Sequence, residues 1–239
     1  MMSEVHNFND SYSSGELGVQ LVKRLVVNGL SESMTEFISL EEAHAIKEIQ
    51  RKKDMSGIDC YIEMKTTTGG HTINPVQIKT EYAVNTFLEI VSQIHLDKNK
   101  VKIGYALDNQ AQSKYTFFVN YSHGVAIADT KKLTSFIQKE LIKPGGVPIF
   151  GDVRYEFKKV PNNYNNAKYI SIGVPVDWYT FKEWECVMKD WTWDEVLGLI
   201  EDDKLAREHI GDMKDHHKAN IKPSGISQEV KERRTNLET

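Results

Sequence analysis

Residues 57–64, GIDCYIEM, set the tightest limit on what this chain can fold into. Ile58, Cys60, Ile62 and Met64 alternate with Asp59, Tyr61 and Glu63. A period of two belongs to a β-strand, whose successive side chains leave opposite faces. One face is then apolar, and the other carries an aspartate, a residue type that strands disfavour. A second segment repeats the pattern: in PVQIKT, residues 75–80, Val76 and Ile78 alternate with Gln77 and Lys79. The intervening TTTGGHTINP, residues 66–75, holds two adjacent glycines and a proline, which is turn chemistry. The spacing predicts an antiparallel hairpin with a loose loop, and the hairpin gathers Asp59, Gln77 and Lys79 on one polar face.

An acid from one strand and a Q-x-K pair from its neighbour form a chemically suggestive set. Phosphodiester hydrolysis needs a metal ion to polarise the phosphate and generate hydroxide, plus a cation to settle developing charge. Magnesium takes hard oxygen ligands, one or two of them carboxylates, with water and substrate completing the octahedron.

The text D-x-x-GID-x-x-I, a glycine-bearing turn and then VQIKT resembles the core of the PD-(D/E)XK nucleases. It is most similar to the branch with glutamine in the third motif, as in Mrr-type restriction nucleases and archaeal Holliday-junction resolvase relatives. The resemblance covers roughly residues 12–130. It implies a restriction-endonuclease-like α/β core, with a central mixed sheet flanked by helices. It also implies Mg2+ or Mn2+ as cofactor and DNA as substrate, with RNA left open. Carried over by motif, Asp59 and Gln77 become metal ligands and Lys79 the residue that orients or activates the attacking water. The family's core often begins with a helix bearing a glutamate near its start, which here is Glu16, so the resemblance adds Glu16 to the catalytic set as a further metal ligand. The homodimer of related resolvase-type and restriction nucleases, which cut two strands, is an assembly the resemblance allows. Gln77 departs from the commoner glutamate and offers a neutral amide oxygen, a weaker ligand for magnesium. Glu63 shares the Asp59 face but stands four residues along, on the order of 13 Å away at strand rise.

Other polar residues have competing readings. Ser13-x-x-Glu16 is also a capping box, so Glu16 can serve a helix start alone. Arg51, Lys52 and Lys53 suit either a phosphate backbone or a helix C-terminus, which cations complement. His71 is either a substrate contact or an exposed turn histidine. Asp54 reads as a loop acid, and Thr80 as a weak hydrogen-bonding neighbour of Lys79. His216 and His217 are adjacent and lack partners at ligand spacing.

Residues 1–14 read as a flexible polar leader, and residues 15–142 as the nuclease-like core. Residues 143–210 read as a β/helical extension packed on or beside the core, and residues 211–239 as a polar, disordered tail. Within the core, helices are expected over residues 16–30, 40–52, 82–94 and 131–141, and strands over 101–107, 115–121 and 124–129. Further strands are expected near 153–160 and 168–174, separated by PNNYNNA. Thr180-x-x-Glu183 and Thr192-x-x-Glu195 predict helices over about 181–189 and 193–208, docked by Trp184, Trp191 and Trp193.

A chain of 239 residues with 27% charged residues and a net charge of −4 is no indiscriminate nucleic-acid coat. No run approaches the ~18 consecutive apolar residues of a membrane span. The two cysteines, Cys60 and Cys186, fit no metal or redox spacing. Cys60 reads as a buried free thiol, and a cytoplasmic location is expected. With no GxxxxGK[ST] motif, an endonuclease is preferred over a motor-coupled exonuclease. The rival reading is a nuclease-fold protein that binds nucleic acid or a protein without cutting.

Overall fold

The structure, a computed structural model, describes residues 6–45, 57–81, 85–95, 100–108, 112–142, 149–150, 153–164 and 167–200, with Lys204 and Gly211. In chain order the first elements are β1 (His6–Asn7), α1 (Phe8–Val27), β2 (Met34–Ser39), α2 (Leu40–Ala45), β3 (Cys60–Lys65) and β4 (His71–Glu81). Then come β5 (Asn85–His95), β6 (Lys100–Ile103), β7 (Tyr115–Asn120), β8 (Gly124–Asp129) and α3 (Thr130–Phe136), which runs on as a π-helical turn over Ile137–Leu141. The last are β9 (Ile149–Phe150), β10 (Val153–Arg154), β11 (Lys158–Tyr164), β12 (Ala167–Asp177), α4 (Trp178–Lys182), β13 (Val187–Thr192) and α5 (Trp193–Leu199).

The predicted hairpin anchors a six-stranded mixed sheet in the order β13-β8-β7-β4-β3-β2. Its neighbours are antiparallel except β4 and β7, which run parallel. The turn is tighter than expected: Thr66 N–H donates to Gly70 O at 2.7 Å, Gly69 takes a φ of +84°, and β4 starts at His71. A second sheet has the order β1-β11-β12-β5-β6, and β9 pairs with β10 separately.

The alternation of β3, β4 and β7 divides the interior. Cys60, Ile62, Val76, Ile78, Phe117 and Val119 join Leu21, Val22, Leu25 and Val26 of α1 and Val196 of α5 in one core. Phe118, Ala126 and Ala128 leave the other face and meet Leu88 and Ile90 of β5, Val174 and Val176 of β12, and Phe181 and Trp184 around α4. Both cysteines are buried free thiols.

Helix α1 ends close to the limit expected from the sequence, where Gly29 is a natural stop. Gly29 turns left-handed at a φ of +82°, Leu30 N–H bonds Leu25 O at 2.8 Å, and Gly29 N–H bonds Val26 O at 3.1 Å, which closes the last turn. Its start differs. The helix begins at Phe8 and takes in much of the segment expected to be a leader. The sequence Ser39-x-x-Glu42 is a capping-box pattern for the helix expected from residue 40, and it forms, with Glu42 Oε2 accepting from Ser39 N–H at 2.7 Å; α2 is described as far as Ala45.

Four expectations are corrected. Residues 85–95 are a strand, not part of a helix over 82–94. Leu88, Val91 and His95 satisfy a helical spacing, but Thr86, Leu88 and Ile90 are buried at period two, and the β-branched Thr86, Ile90, Val91 and Ile94 favour the strand. The strand expected over 101–107 stops at Ile103, and Gly104 starts a turn whose N–H bonds Ile90 O at 2.8 Å. Pro161–Tyr164 of PNNYNNA belong to β11, paired with β12. The helix expected over 181–189 is instead α4, capped by Asp177 through Thr180 N–H at 2.9 Å; residues 187–192 then pair with β8 as β13. The second box holds: Thr192 caps α5, with Glu195 reciprocating. Trp184 and Trp191 are buried and Trp193 packs at the core's edge. The chain after residue 143 therefore supplies β11 and β12 to one sheet and β13 to the other. Among the described residues, no helix is long and apolar enough to cross a membrane.

Candidate active site

The hairpin ladder is regular from Lys65↔His71 to Cys60↔Val76 and then changes character. Asp59 N–H donates to Val76 O at 2.8 Å, and the Asp59 carboxylate takes the next β4 amide, with Ile78 N–H donating to Oδ2 at 2.6 Å. A side chain thus ends the pairing where a backbone carbonyl would continue it. Gln77 and Lys79 leave β4 on the face opposite Val76 and Ile78. The expected pairing with the Q-x-K strand is present, but the strand expected over residues 57–64 starts only at Cys60, so Asp59 precedes β3, and Ile58 packs with Ile38 and Tyr61 rather than on the Cys60 side.

Gly57 explains the local demand for glycine. It sits at a φ of +72°, and a Cβ there would lie 2.7 Å from Gln77 Nε2. Any other residue would be strained and would press on the Gln77 amide. Gln77 itself is only 7% exposed.

The Lys79 ammonium lies 4.5 Å from the centre of the Tyr105 ring. It is also the cation shared by three carboxylates. Burial raises the Asp59 carboxyl above its usual range, opposed by the Ile78 N–H bond and by Lys79. Burial pushes Glu81 up to about 8, opposed by Phe87 N–H, Thr86, Asn120 and Lys79. Phe87 N–H donates to Glu81 Oε1 at 2.9 Å. Thr86 and Asn120 lie close enough to favour the charged form, though neither closes a well-formed bond on Oε2. Burial raises Glu89 as well, with Lys79 and Lys102 opposing. Tyr105 is driven well above its ordinary value by burial first, then by Glu81 and Glu89. Lys79 is thus the cation that opposes burial at all three acids, whose neutral forms burial favours.

The remaining candidates lie elsewhere. Glu16 is exposed on α1. That helix packs on the other face of the sheet, where a Cβ on Gly18 would meet Thr80 Oγ1 at 2.5 Å. Thr80 therefore faces α1 rather than the Gln77–Lys79 side. His71 starts β4, six residues from Gln77, and its Nδ1 lies 3.1 Å from Glu63 Oε2. Glu63 also accepts from Thr35 Oγ1 at 2.8 Å, and these two partners, Thr35 foremost, hold its carboxyl below the usual range. Arg51, Lys52, Lys53 and Asp54, with His216 and His217, lie outside the described residues.

Sequence reasoning missed Glu81, Glu89, Tyr105 and the role of Gly57. Glu81 had a signal, since it continues the parity of Gln77 and Lys79 by one more step. Glu89 and Tyr105 had none, because only the return of β5 and the turn after β6 carries them to Lys79. Among the described residues, no three His, Cys, Asp or Glu side chains gather closely enough to hold a metal ion by themselves. Compared with known protein families, curated proteins and solved structures, the chain matches none.

Proposed function

We propose that this protein is a divalent-metal-dependent nuclease that hydrolyses DNA phosphodiester bonds, cutting internally, with Asp59, Gln77 and Lys79 as its working residues. What supports the reading is that the Asp59 carboxylate binds the β4 amide of Ile78, between Gln77 and Lys79, where β4 leaves its pairing with β3.

The residues fit Mg2+ or Mn2+. Asp59 Oδ2 is taken by Ile78 N–H, which leaves Oδ1 for a ligand, and Gln77 offers a carbonyl oxygen. One carboxylate and one amide meet the lower end of what magnesium takes from protein, with water and substrate completing the shell. A dication beside Asp59 would also favour the charged form that burial resists. When bound, the ion supplies Lewis acidity toward a phosphoryl oxygen and hydroxide near neutral pH. Lys79 supplies a fixed positive charge for the developing oxyanion. Gly57 leaves Gln77 room to keep its orientation. A helix followed by the acid-bearing and Q-x-K strands in one mixed sheet supports a restriction-endonuclease-like core; the strand β5 in place of a helix lends that finer reading nothing.

Plasmid nicking in magnesium, manganese or EDTA tests the reading. Cleavage by the wild type should need metal and fall at least ~100-fold in Asp59→Ala and in Lys79→Ala, the scale of losing a charge-stabilising group. Equal activity in all three proteins would overturn the site.

A second reading rests on the near-complete burial of Gln77 and the engagement of Lys79 by three acids and a ring. On that reading the chain is a nuclease-fold protein that binds nucleic acid or a protein without cutting. Metal-independent DNA binding with no nicking would favour it.

A further inference from the structure

Tyr105 stands where a side chain can set the position of Lys79. It lies in the turn after β6, and the backbone on either side of it is tied to β5: Gly104 N–H bonds Ile90 O at 2.8 Å and Ala106 N–H bonds Glu89 O at 3.1 Å. Gly104 has no space for a Cβ, because the Glu89 carbonyl lies against it. The phenol hydroxyl donates to Phe87 O at 2.9 Å, and the ring leans on Phe118 with centroids 6.3 Å apart. Both ends of the side chain are therefore fixed, and its face meets the Lys79 ammonium at 4.5 Å. A flexible lysine whose charge is felt at Asp59, Glu81 and Glu89 has more than one place to settle. The ring favours one of them, since a cation is drawn to the face of an aromatic quadrupole.

We propose that Tyr105 is a positioning residue that seats the Lys79 ammonium on the Gln77 face, so that the β5–β6 hairpin forms a wall of the active site. The role in turnover rests on the nuclease reading above, whereas the seating of Lys79 does not. The aromatic face carries the effect, and the backbone ties at Gly104 and Ala106 with the Phe118 contact hold the ring even without the hydroxyl.

Two measurements on the full chain separate these claims. The first is NMR of reductively 13C-methylated lysines, with the Lys79 signal assigned by Lys79→Arg. A ring-current displacement of that signal should appear in the wild type and in Tyr105→Phe, and vanish in Tyr105→Leu. A wild-type Lys79 signal that coincides with the exposed Lys65 would overturn the seating. The second is nicking kinetics. Tyr105→Phe should retain kcat, while Tyr105→Leu should lower it about tenfold at unchanged KM. Tyr105→Met, an unbranched filler, replaces the leucine variant if that one fails to fold. An unchanged kcat in a folded variant without the ring would overturn the role in turnover. A wild type that never nicks DNA, but shows the displaced Lys79 signal, would defeat the nuclease reading and leave the seating intact.

Discussion

The two faces of the six-stranded sheet come from the same strands and do opposite work. On one face, Cys60, Ile62, Val76, Ile78, Phe117 and Val119 meet α1 and α5 in an apolar core. On the other, Gln77, Lys79 and Glu81 run along β4 beside buried Thr116 and Asn120, their register partners on β7 being Thr116, Phe118 and Asn120. The second face has its own apolar cluster around Phe118, Ala126 and Ala128, yet along β4 it also holds polar and ionisable groups that are costly in such an interior. Burial there shifts ionisable groups instead of excluding them. The difference teaches that period two is a division of labour: alternate residues fix the strand so that the intervening ones can be aimed.

The sharpest way to break this contrast is to damage the apolar face. Phe117→Ala should cost about 3–5 kcal/mol in urea unfolding, as expected for truncating a fully buried aromatic ring. A loss near that of an exposed substitution would mean that this face does not hold the sheet.

The polar face should show itself through pH. Glu81 binds its proton more tightly when folded, about 8 against 4.5 for the free group. Between those values the folded chain holds more protons than the unfolded one, so this group's contribution is most favourable below about pH 4.5 and is lost as pH rises through about 8. Glu81→Gln should flatten that decline, gaining stability relative to the wild type as pH increases. Parallel pH curves for the two proteins would remove Glu81 as the source.

Smaller effects test the joints. Gly57→Ala should cost about 1–2 kcal/mol from the left-handed backbone alone. It should also slow nicking, because the new methyl group crowds the Gln77 amide; unaltered stability and cleavage together would dismiss Gly57 as a spacer for Gln77. Thr192→Ala should cost about 1 kcal/mol by uncapping α5, read from a thermal melt.

The same contrast marks what the sequence made legible. The hairpin and the departure of Gln77 and Lys79 from one side of β4 could be read because alternation is a local signal, although Asp59 falls just outside β3. So could the end of α1 at Gly29 and the caps at Ser39 and Thr192, where two or three neighbouring residues decide the outcome. Strand β5 was misread because its apolar residues satisfy both periods, and its partners, β12 and β6, lie outside any local window. Strand β13 was misread because the box at Thr180 looks like a helix start, whereas Asp177 caps α4 three residues earlier. The site inherits the same limit. Asp59, Gln77 and Lys79 come from one hairpin, while Glu89 and Tyr105 arrive by tertiary return.

The parallel join between β4 and β7 has a consequence for how the chain can be made. Between leaving β4 and returning as β7, the polypeptide detours through the other sheet, where β5 is flanked by β6 and by β12, about eighty residues further on. On a ribosome, β5 would emerge well before β12 exists to cover its open edge. A shortened gene ending before β12 would leave that edge exposed to pairing with other chains. It would also strip support from the hairpin beside Lys79, so trimming the chain to its first two-thirds should yield aggregate rather than a minimal enzyme.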